Sequence, residues 1–425
     1  MQKGLKTRYI IHQILYIIKK ESKNFDAIYA LKIKENSFSL SDKKLIQTVV
    51  LNCMRNYFYI DLVINKFAKK IKKDSHSYFL LLSAITQILI LNFKEYAVIN
   101  TTVEIAKNKK LKTSHNYINA ILRNIVKNKK NINIKINFLQ LPEWFRKKNL
   151  GWNLKQKKDF ISTIRKEPNI HLVFKSENYL KNNNILGIKT SNTSLSLTSK
   201  TIIEKIDGYS KGLWWVQDFA AMLPVCLLDD IKNKNVADLC AAPGGKTFQL
   251  ISKKSNVTAF EKNLDRLKLM KKNMKRLNMN CKIINKDVLT LNDKFNFDLV
   301  VLDAPCSAIG TIRRNPEIFF RKQHLNFKKT LLLQESLLEK SKQILKKGGI
   351  LLYIVCSFFK EEGVLQINKF LEKNKNFKIL KFNKNKVFLP DSFIDKEGYI
   401  ITYPSELNNG ILIDGFFAAR LIKDD

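Results

Sequence analysis

Two short stretches carry the residues with the most chemical potential: Leu302-Asp303-Ala304-Pro305-Cys306-Ser307 and Tyr353-Ile354-Val355-Cys356-Ser357. Each puts a cysteine just past an apolar run of the kind that forms a buried strand. A single cysteine in such a place is usually a small buried hydrophobe. Two of them at equivalent strand ends, one preceded by Asp-Ala-Pro, argue for chemistry, because the carboxyl ends of adjacent parallel strands share one crevice. The reaction that needs two thiols and a carboxyl group is C5 methylation of a pyrimidine. Cytosine C5 is a poor carbon nucleophile. A thiolate adding at C6 makes an enamine whose C5 can attack a methylsulfonium, and a carboxylic acid at N3 stabilises the adduct. A base then removes the C5 proton so that the thiolate can leave. Amino-group methylation needs no thiol. A helix N-terminus expected near residue 360 would favour ionisation of Cys356.

A second constellation surrounds the turn Leu239-Cys240-Ala241-Ala242-Pro243-Gly244-Gly245-Lys246-Thr247. Glycines between a strand and a helix let a ligand approach the backbone at the helix N-terminus. Gly245-Lys246-Thr247 resembles the end of a phosphate-binding loop, but that motif needs a glycine where Cys240 stands, and G-x-G-x-x-G is absent too. The next predicted strand ends in Glu261, placed to take ribose hydroxyls, and the third ends in Asp287, placed to accept from an adenine amino group. A glycine turn with two strand-end acids describes an adenosine site without a pyrophosphate grip. S-adenosylmethionine fits it best.

These residues need an alternating frame to hold them, and the sequence supplies one. From Val236 onward, strands are predicted at 236–240, 257–261, 282–286, 298–303, 350–356, 377–382 and 412–422. Helices are predicted at 246–253, 264–277, 325–346 and 361–373. Such alternation of short buried strands with helices predicts a doubly wound, mostly parallel sheet. Upstream, Leu141-Pro142-Glu143-Trp144 marks a boundary. Beyond it lie a helix at 155–166, a strand at 170–175, a Ser/Thr-rich run at 190–201 read as loops or edges, and an apolar helix at 219–229. Residues 1 to about 130 read as all-helical: Ile10, Ile11, Ile14, Leu15, Ile17 and Ile18 recur at helical spacing. Ser41-Asp42 is placed as the cap of a second helical region, and three further helices follow near 76–92, 96–109 and 113–128.

The 425 residues carry 76 Lys+Arg against 37 Asp+Glu, a formal net charge of +39. That balance points to a polyanion partner, although the accompanying richness in Asn and Ile means that codon bias could supply much of the lysine. Arginine is scarce and therefore more telling: Arg123 late in the last N-terminal helix, and the pair Arg313-Arg314, are the candidate phosphate contacts. The six cysteines contain no CxxC, so no metal site is expected and reduced thiols fit a cytoplasmic protein. The most apolar stretch, Tyr78 to Phe93, is too short and too polar to span a membrane.

Together the motifs resemble the Sun/NOL1/NOP2 family of RNA cytosine-C5 methyltransferases. The resemblance rests on LCAAPGGKT at 239–247, DAPCSAIGTIRRNPEI at 303–318, Cys356-Ser357 and the ending Asp414-Gly415-Phe416-Phe417-Ala418-Ala419-Arg420-Leu421. It implies that Cys240, Ala241, Ala242, Pro243, Gly244, Gly245 and Lys246, with Glu261, Asp287 and Asp303, hold S-adenosylmethionine. It implies Cys356 as nucleophile, Cys306 as the residue aiding product release and Asp303 as a catalytic partner. Ala97-Val98-Ile99-Asn100 and Asn119-Ala120-Ile121-Leu122-Arg123 resemble a NusB-like RNA-binding domain. The family usually has Asp where Glu261 stands and Thr where Val355 stands.

The expected architecture is an all-α NusB-like bundle (1–135), a small α+β middle domain (136–232) and a Rossmann-like class I methyltransferase domain (233–425). The expected function is S-adenosylmethionine-dependent C5 methylation of a cytosine in 16S ribosomal RNA. The partner would be that RNA or a small-subunit assembly intermediate, and the enzyme would be a monomer. Two other readings stand beside it: the same chemistry on another RNA such as tRNA, or a non-catalytic RNA-binding assembly factor. The second is disfavoured by Asp303, Cys306 and Cys356, which a scaffold has no chemical need to carry together.

Overall fold

A computed structural model describes residues 3–148, 150–199, 201–291, 295–321, 326–382 and 391–424. The chain packs as two compact units, Met1–Lys166 with Ile312–His324, and Glu167–Thr311 with Leu325–Asp425. The three-part division at 135 and 232 remains our proposal for the modules of the chain.

The first unit is helical. Its helices are α1 (Lys3–Glu21), α2 (Phe25–Lys34), α3 (Leu40–Arg55), α4 (Tyr57–Phe67), α5 (His76–Ile85), α6 (Glu95–Ala106), α7 (His115–Lys127), α8 (Glu143–Arg146) and α9 (Leu154–Ile164). In α7 the residues Ile118, Ile121, Leu122 and Ile125 are buried, one face of a 3.6-residue period. Arg123 and Asn124 are on its exposed face. Three helices of this unit escaped the sequence reading, α2, α4 and α8, all short. The cap of α3 is Ser39 rather than Ser41: Ser39 Oγ accepts from Asp42 N at 3.2 Å, and the Asp42 carboxylate accepts from Ser39 N at 3.3 Å. The segment from Ile312, just beyond the Pro-Cys motif, belongs to this unit through aromatic packing. Phe320 meets Tyr57 at 4.6 Å between ring centroids, and Phe319 meets Phe145 at 5.3 Å.

The second unit holds two main sheets. The smaller comprises β1 (His171–Phe174), β2 (Gly187–Ser191), β3 (Ser194–Leu197) and β4 (Trp214–Val216), ordered β2-β3-β1-β4, all antiparallel. The Ser/Thr-rich run is thus only in part an edge: Thr190 and Ser191 end the edge strand β2, but β3 is an interior strand with all four residues buried. The Ser194 hydroxyl is satisfied, its Oγ lying 2.7 Å from both Thr190 Oγ1 and Ser191 Oγ, which offsets the cost of burying it. Helix α10 (Glu177–Lys181) connects β1 to β2, and α11 (Phe219–Cys226) follows β4.

The larger sheet is built from β5 (Asn235–Leu239), β6 (Asn256–Phe260), β7 (Lys282–Ile284), β8 (Phe297–Asp303), β9 (Leu345–Val355), β10 (Phe377–Ile379), β11 (Ile400–Ile401) and β14 (Phe417–Lys423). Its order is β10-β14-β9-β8-β5-β6-β7, with β11 also paired to β14. Strands β5 to β9 run parallel, and β14 inserts antiparallel against β9. Helices α12 (Gly245–Ser252), α13 (Leu264–Leu277), α14 (Phe327–Gln343) and α15 (Val364–Lys373) supply the crossovers, and β12 (Ser405–Glu406) pairs with β13 (Leu412–Ile413). The central strands are apolar on both faces, as helix-covered parallel strands must be: Val300, Val301 and Leu302 are wholly buried, as are Leu351 to Val355. This is the Rossmann-like arrangement expected, with β8 and β9 side by side.

Candidate active site

Because β8 and β9 are adjacent and parallel, Asp303 aligns with Ile354, and the two cysteines leave their strands at the same sheet edge. Cys306 Sγ and Cys356 Sγ are 3.2 Å apart. The backbone enforces this. Ala304 N donates to Ile354 O at 2.9 Å, and Gly310 N donates to Cys356 O at 3.1 Å. Gly310 in turn accepts at its carbonyl from Gly415 N at 2.9 Å. A Cβ on Gly310 would lie 1.7 Å from Gly415 O, so only glycine permits this approach. The Asp414-Gly415 ending noted in the sequence therefore acts as a backstop for both cysteine loops.

Asp303 accepts from Lys246 Nζ at 2.7 Å, a pair in which the lysine side chain is 9% exposed and the aspartate 34%. The Lys246 ammonium also lies 5.7 Å from the centre of the Phe416 ring. Lys246, which the resemblance placed at the cofactor, is thus paired with the aspartate at the chemical end of the crevice. Burial pushes the Cys240 thiol up to about 12, with the nearby Asp303 and Glu261 carboxylates adding to the shift. Cys240 is held protonated and is no competitor for the nucleophile's role. The Cys306 thiol is raised well above its ordinary value by the hydrogen bond to Cys356, by burial and by the charge of Glu362.

The glycine turn lies where expected. Ala241 N donates to Phe260 O at 3.0 Å, Gly244 adopts φ +110°, and α12 begins at Gly245. Glu261 is 4% exposed; its Oε1 accepts from Asn263 N at 2.8 Å, while its Oε2 is buried without a hydrogen-bond partner, 3.6 Å from Arg266 Nη1. A buried carboxylate oxygen left vacant costs free energy unless a ligand fills it. Paired ribose hydroxyls would do so, and the residues present therefore fit S-adenosylmethionine. Asp287 is half-buried, accepting from Lys262 Nζ at 3.0 Å and from Leu289 N at 3.1 Å.

Glu261→Ala is accordingly expected to weaken S-adenosylmethionine binding by about 1.5–3 kcal/mol, roughly 10–150-fold. Asp287→Ala should cost less, because its carboxylate already has partners. Titration calorimetry checks both; unchanged affinity in the two variants would remove these acids from the site.

Several residues depart from the sequence reading. Helix α15 starts at Val364, so its N-terminus is not at the position expected to act on Cys356. The intervening turn instead carries Glu362, wholly buried, which sequence reasoning missed because Lys360-Glu361-Glu362 looks like a solvated charge run. Gln334 on α14, also wholly buried, was missed as well: it donates to Pro305 O at 2.9 Å and to Glu362 Oε1 at 3.2 Å. Arg313 leaves the set of phosphate contacts. Its side chain is fully withdrawn from solvent, and its carbonyl accepts from Arg55 Nε at 2.9 Å within the helical unit. Arg314 is half-buried and Arg123 exposed, the latter donating to Asn119 Oδ1 at 3.1 Å. Among the described residues, no group of three His, Cys, Asp or Glu could hold a metal ion, and no helix is long and apolar enough to cross a membrane.

Comparison with known proteins places this geometry among relatives. Residues 225–422 match the model of the family described as 16S rRNA methyltransferase RsmB/F, and residues 5–127 match that of the NusB family. The chain is 29% identical over 418 residues to a Ribosomal RNA small subunit methyltransferase B from Photorhabdus laumondii, covering 92% of this chain and 93% of the relative. It is 27% identical over 412 residues to the protein of the same name from Serratia proteamaculans, covering 92% of each. The solved structure of PH0851 shares the fold at a TM-score of 0.71 and 22% identity, covering 98% of this chain and 99% of that one.

Proposed function

We propose that this chain, which belongs to the RsmB/F family of S-adenosylmethionine-dependent ribosomal RNA methyltransferases and carries a NusB family domain at residues 5–127, methylates C5 of a cytosine in 16S ribosomal RNA through a covalent adduct on Cys356. The observation that carries the reading is the pair of thiols 3.2 Å apart beside the Lys246–Asp303 ion pair. N-methylation has no use for such a pair.

S-adenosylmethionine, held by the 240–246 turn, Glu261, Asp287 and Asp303, supplies an electrophilic methyl group. The chain's own residues do the rest. A target base turned out of its stack would enter the crevice at the ends of β8 and β9. Cys356 Sγ, as thiolate, forms a bond to C6, and the π electrons of C5=C6 move toward C5 and the N3–O2 edge. A proton relayed from the Lys246 ammonium through the Asp303 carboxyl group, 2.7 Å away, reaches N3 and stabilises the adduct as a neutral enamine. After methylation the C5 proton passes to water and the C6–S bond breaks. Cys306, 3.2 Å away, donates its S–H to the departing Cys356 sulfur, so that the leaving group is a hydrogen-bonded thiolate. Bisulfite sequencing of 16S ribosomal RNA from cells with and without the protein tests the reading. Loss of methylation at one cytosine is expected; an unchanged pattern would send the search to other RNAs.

The NusB family domain grips RNA through phosphates, with Arg123 on the exposed face of α7 as one contact. Arg123→Glu should lower RNA affinity and flatten its dependence on log salt by about 0.7 per lost phosphate contact on a single strand. A point substitution is the proper test, because deleting the helices would strip Phe319 and Phe320 of their packing partners Tyr57, Phe58 and Phe145. An unaltered salt slope in the variant would remove α7 from the interface.

A further inference from the structure

The two thiols are chemically alike and share one crevice, yet the reaction needs them to differ. Only one can be the thiolate that attacks, and the other must keep its proton. Glu362 breaks the symmetry. Its carboxylate is wholly buried and receives three hydrogen bonds: from Ser307 N at 2.7 Å and Ser307 Oγ at 2.5 Å, and from Gln334 Nε2 at 3.2 Å. Ser307 directly follows Cys306. Ser357, which directly follows Cys356, is reached only at second hand, its Oγ lying 3.4 Å from Ser307 Oγ and accepting from Phe359 N at 3.2 Å. One carboxylate therefore clamps both Cys-Ser segments, but sits on the Cys306 side.

We propose that Glu362 is the positioning residue that tells the two thiols apart: its buried charge keeps the shared proton on Cys306 and leaves Cys356 Sγ as the acceptor of the Cys306 S–H. A negative charge next to a thiol disfavours its thiolate, and in a water-poor site that effect is strong. Among the described residues, the other elements that bond to Glu362 bring no competing charge. From α14 the contact is the neutral Gln334, and from β9 it is Tyr353, whose hydroxyl donates to Glu362 O at 2.8 Å. The Tyr353 hydroxyl is itself raised well above its ordinary value, first by burial and then by Glu362, so it stays neutral. The arrangement serves both ends of the reaction. Cys356 attacks as a thiolate steadied by one S–H, and on release it regains the same donor. The inference rests on the covalent mechanism proposed above for its meaning but not for its test.

The test needs neither RNA nor turnover. The full-length protein is pulsed with iodoacetamide across a range of pH, and alkylation at each cysteine is read by peptide mass mapping. The readout is the pH midpoint of each profile, since limited access slows alkylation without moving the midpoint. In the native protein, the Cys306 midpoint should lie above that of Cys356. In Glu362→Gln, which removes the charge at nearly constant shape, the Cys306 midpoint should fall and the gap should narrow, while S-adenosylmethionine affinity by calorimetry reports that the fold is intact. A native Cys306 midpoint at or below that of Cys356 overturns the proposal, even if the variant does not fold. So does a folded Glu362→Gln protein with an unchanged gap. If the gap behaves as expected but 16S ribosomal RNA methylation is unaffected by loss of the protein, the thiol assignment stands and the substrate reading fails.

Discussion

Cys356→Ala is expected to yield no methylated RNA and no covalent complex, whereas Cys306→Ala is expected to accumulate a protein–RNA complex that survives denaturation. These opposite outcomes follow from the position of each sulfur in the proposed reaction. Without the Cys356 thiolate, C5 never becomes a nucleophile, and loss of a nucleophile costs on the order of 10⁴–10⁶ in rate. Without Cys306, addition and methylation proceed, but the departing sulfur loses the donor that stands 3.2 Å away. The adduct then persists. Denaturing gels with labelled RNA and S-adenosylmethionine separate the cases by which variant shows the shifted band. A band in Cys356→Ala but not in Cys306→Ala would reverse the assignment. A band in neither, with no product from the native protein, would favour the non-catalytic reading.

Asp303→Asn should lower turnover by about 10²–10⁴-fold, the range typical of a lost proton-transfer or charge-stabilising partner. Two effects converge. The substituted side chain can no longer carry a proton to N3 of the base, and the Lys246 ammonium, 9% exposed, loses the charge that compensates it. Breaking a fully buried pair costs about 3–5 kcal/mol. Here the aspartate is 34% exposed, so solvent screening reduces the stability loss well below that figure. The signature is therefore a large fall in kcat with a modest fall in melting temperature. Rapid-quench rates together with calorimetric melting distinguish it. Native turnover in Asp303→Asn would remove the aspartate from the chemistry, and a collapse of folding with preserved residual turnover would make its role structural.

Much of this was legible beforehand because the relevant signals are local. Helix α13 was read at 264–277, its observed span, since its apolar stripe of Leu267, Met270, Met274 and Leu277 follows the helical period and Asn263 caps it. The core strands were found because parallel strands covered on both faces read as unbroken apolar runs. Where polarity and burial part company, the sequence misleads. The serines of β3 and the carboxylate of Glu362 look solvated on paper, and their burial depends on other segments of the chain: Ser307 and Gln334 for Glu362, and the β1 register partners Val173 and His171 for Ser194 and Ser196. Arg313 erred in the same direction. An arginine pair reads as a phosphate clamp, yet aromatic packing of the segment that follows it draws the first arginine inside.

By itself, then, the sequence determined which residue types are available for chemistry and which strand ends carry them, because strand, turn and cysteine spacing are properties of contiguous chain. It placed Cys306 and Cys356 at equivalent strand ends and the glycine turn at a helix start. The tertiary structure alone decided that β8 lies beside β9, which turns fifty residues of separation into one sulfur–sulfur contact. It alone paired Lys246 with Asp303 and buried Glu362 against the Cys306-Ser307 segment. The physical reason is that distance and desolvation are not local quantities. A residue's spacing follows from the chain, but whether its charge meets water or a partner is settled by elements arriving from elsewhere in the fold.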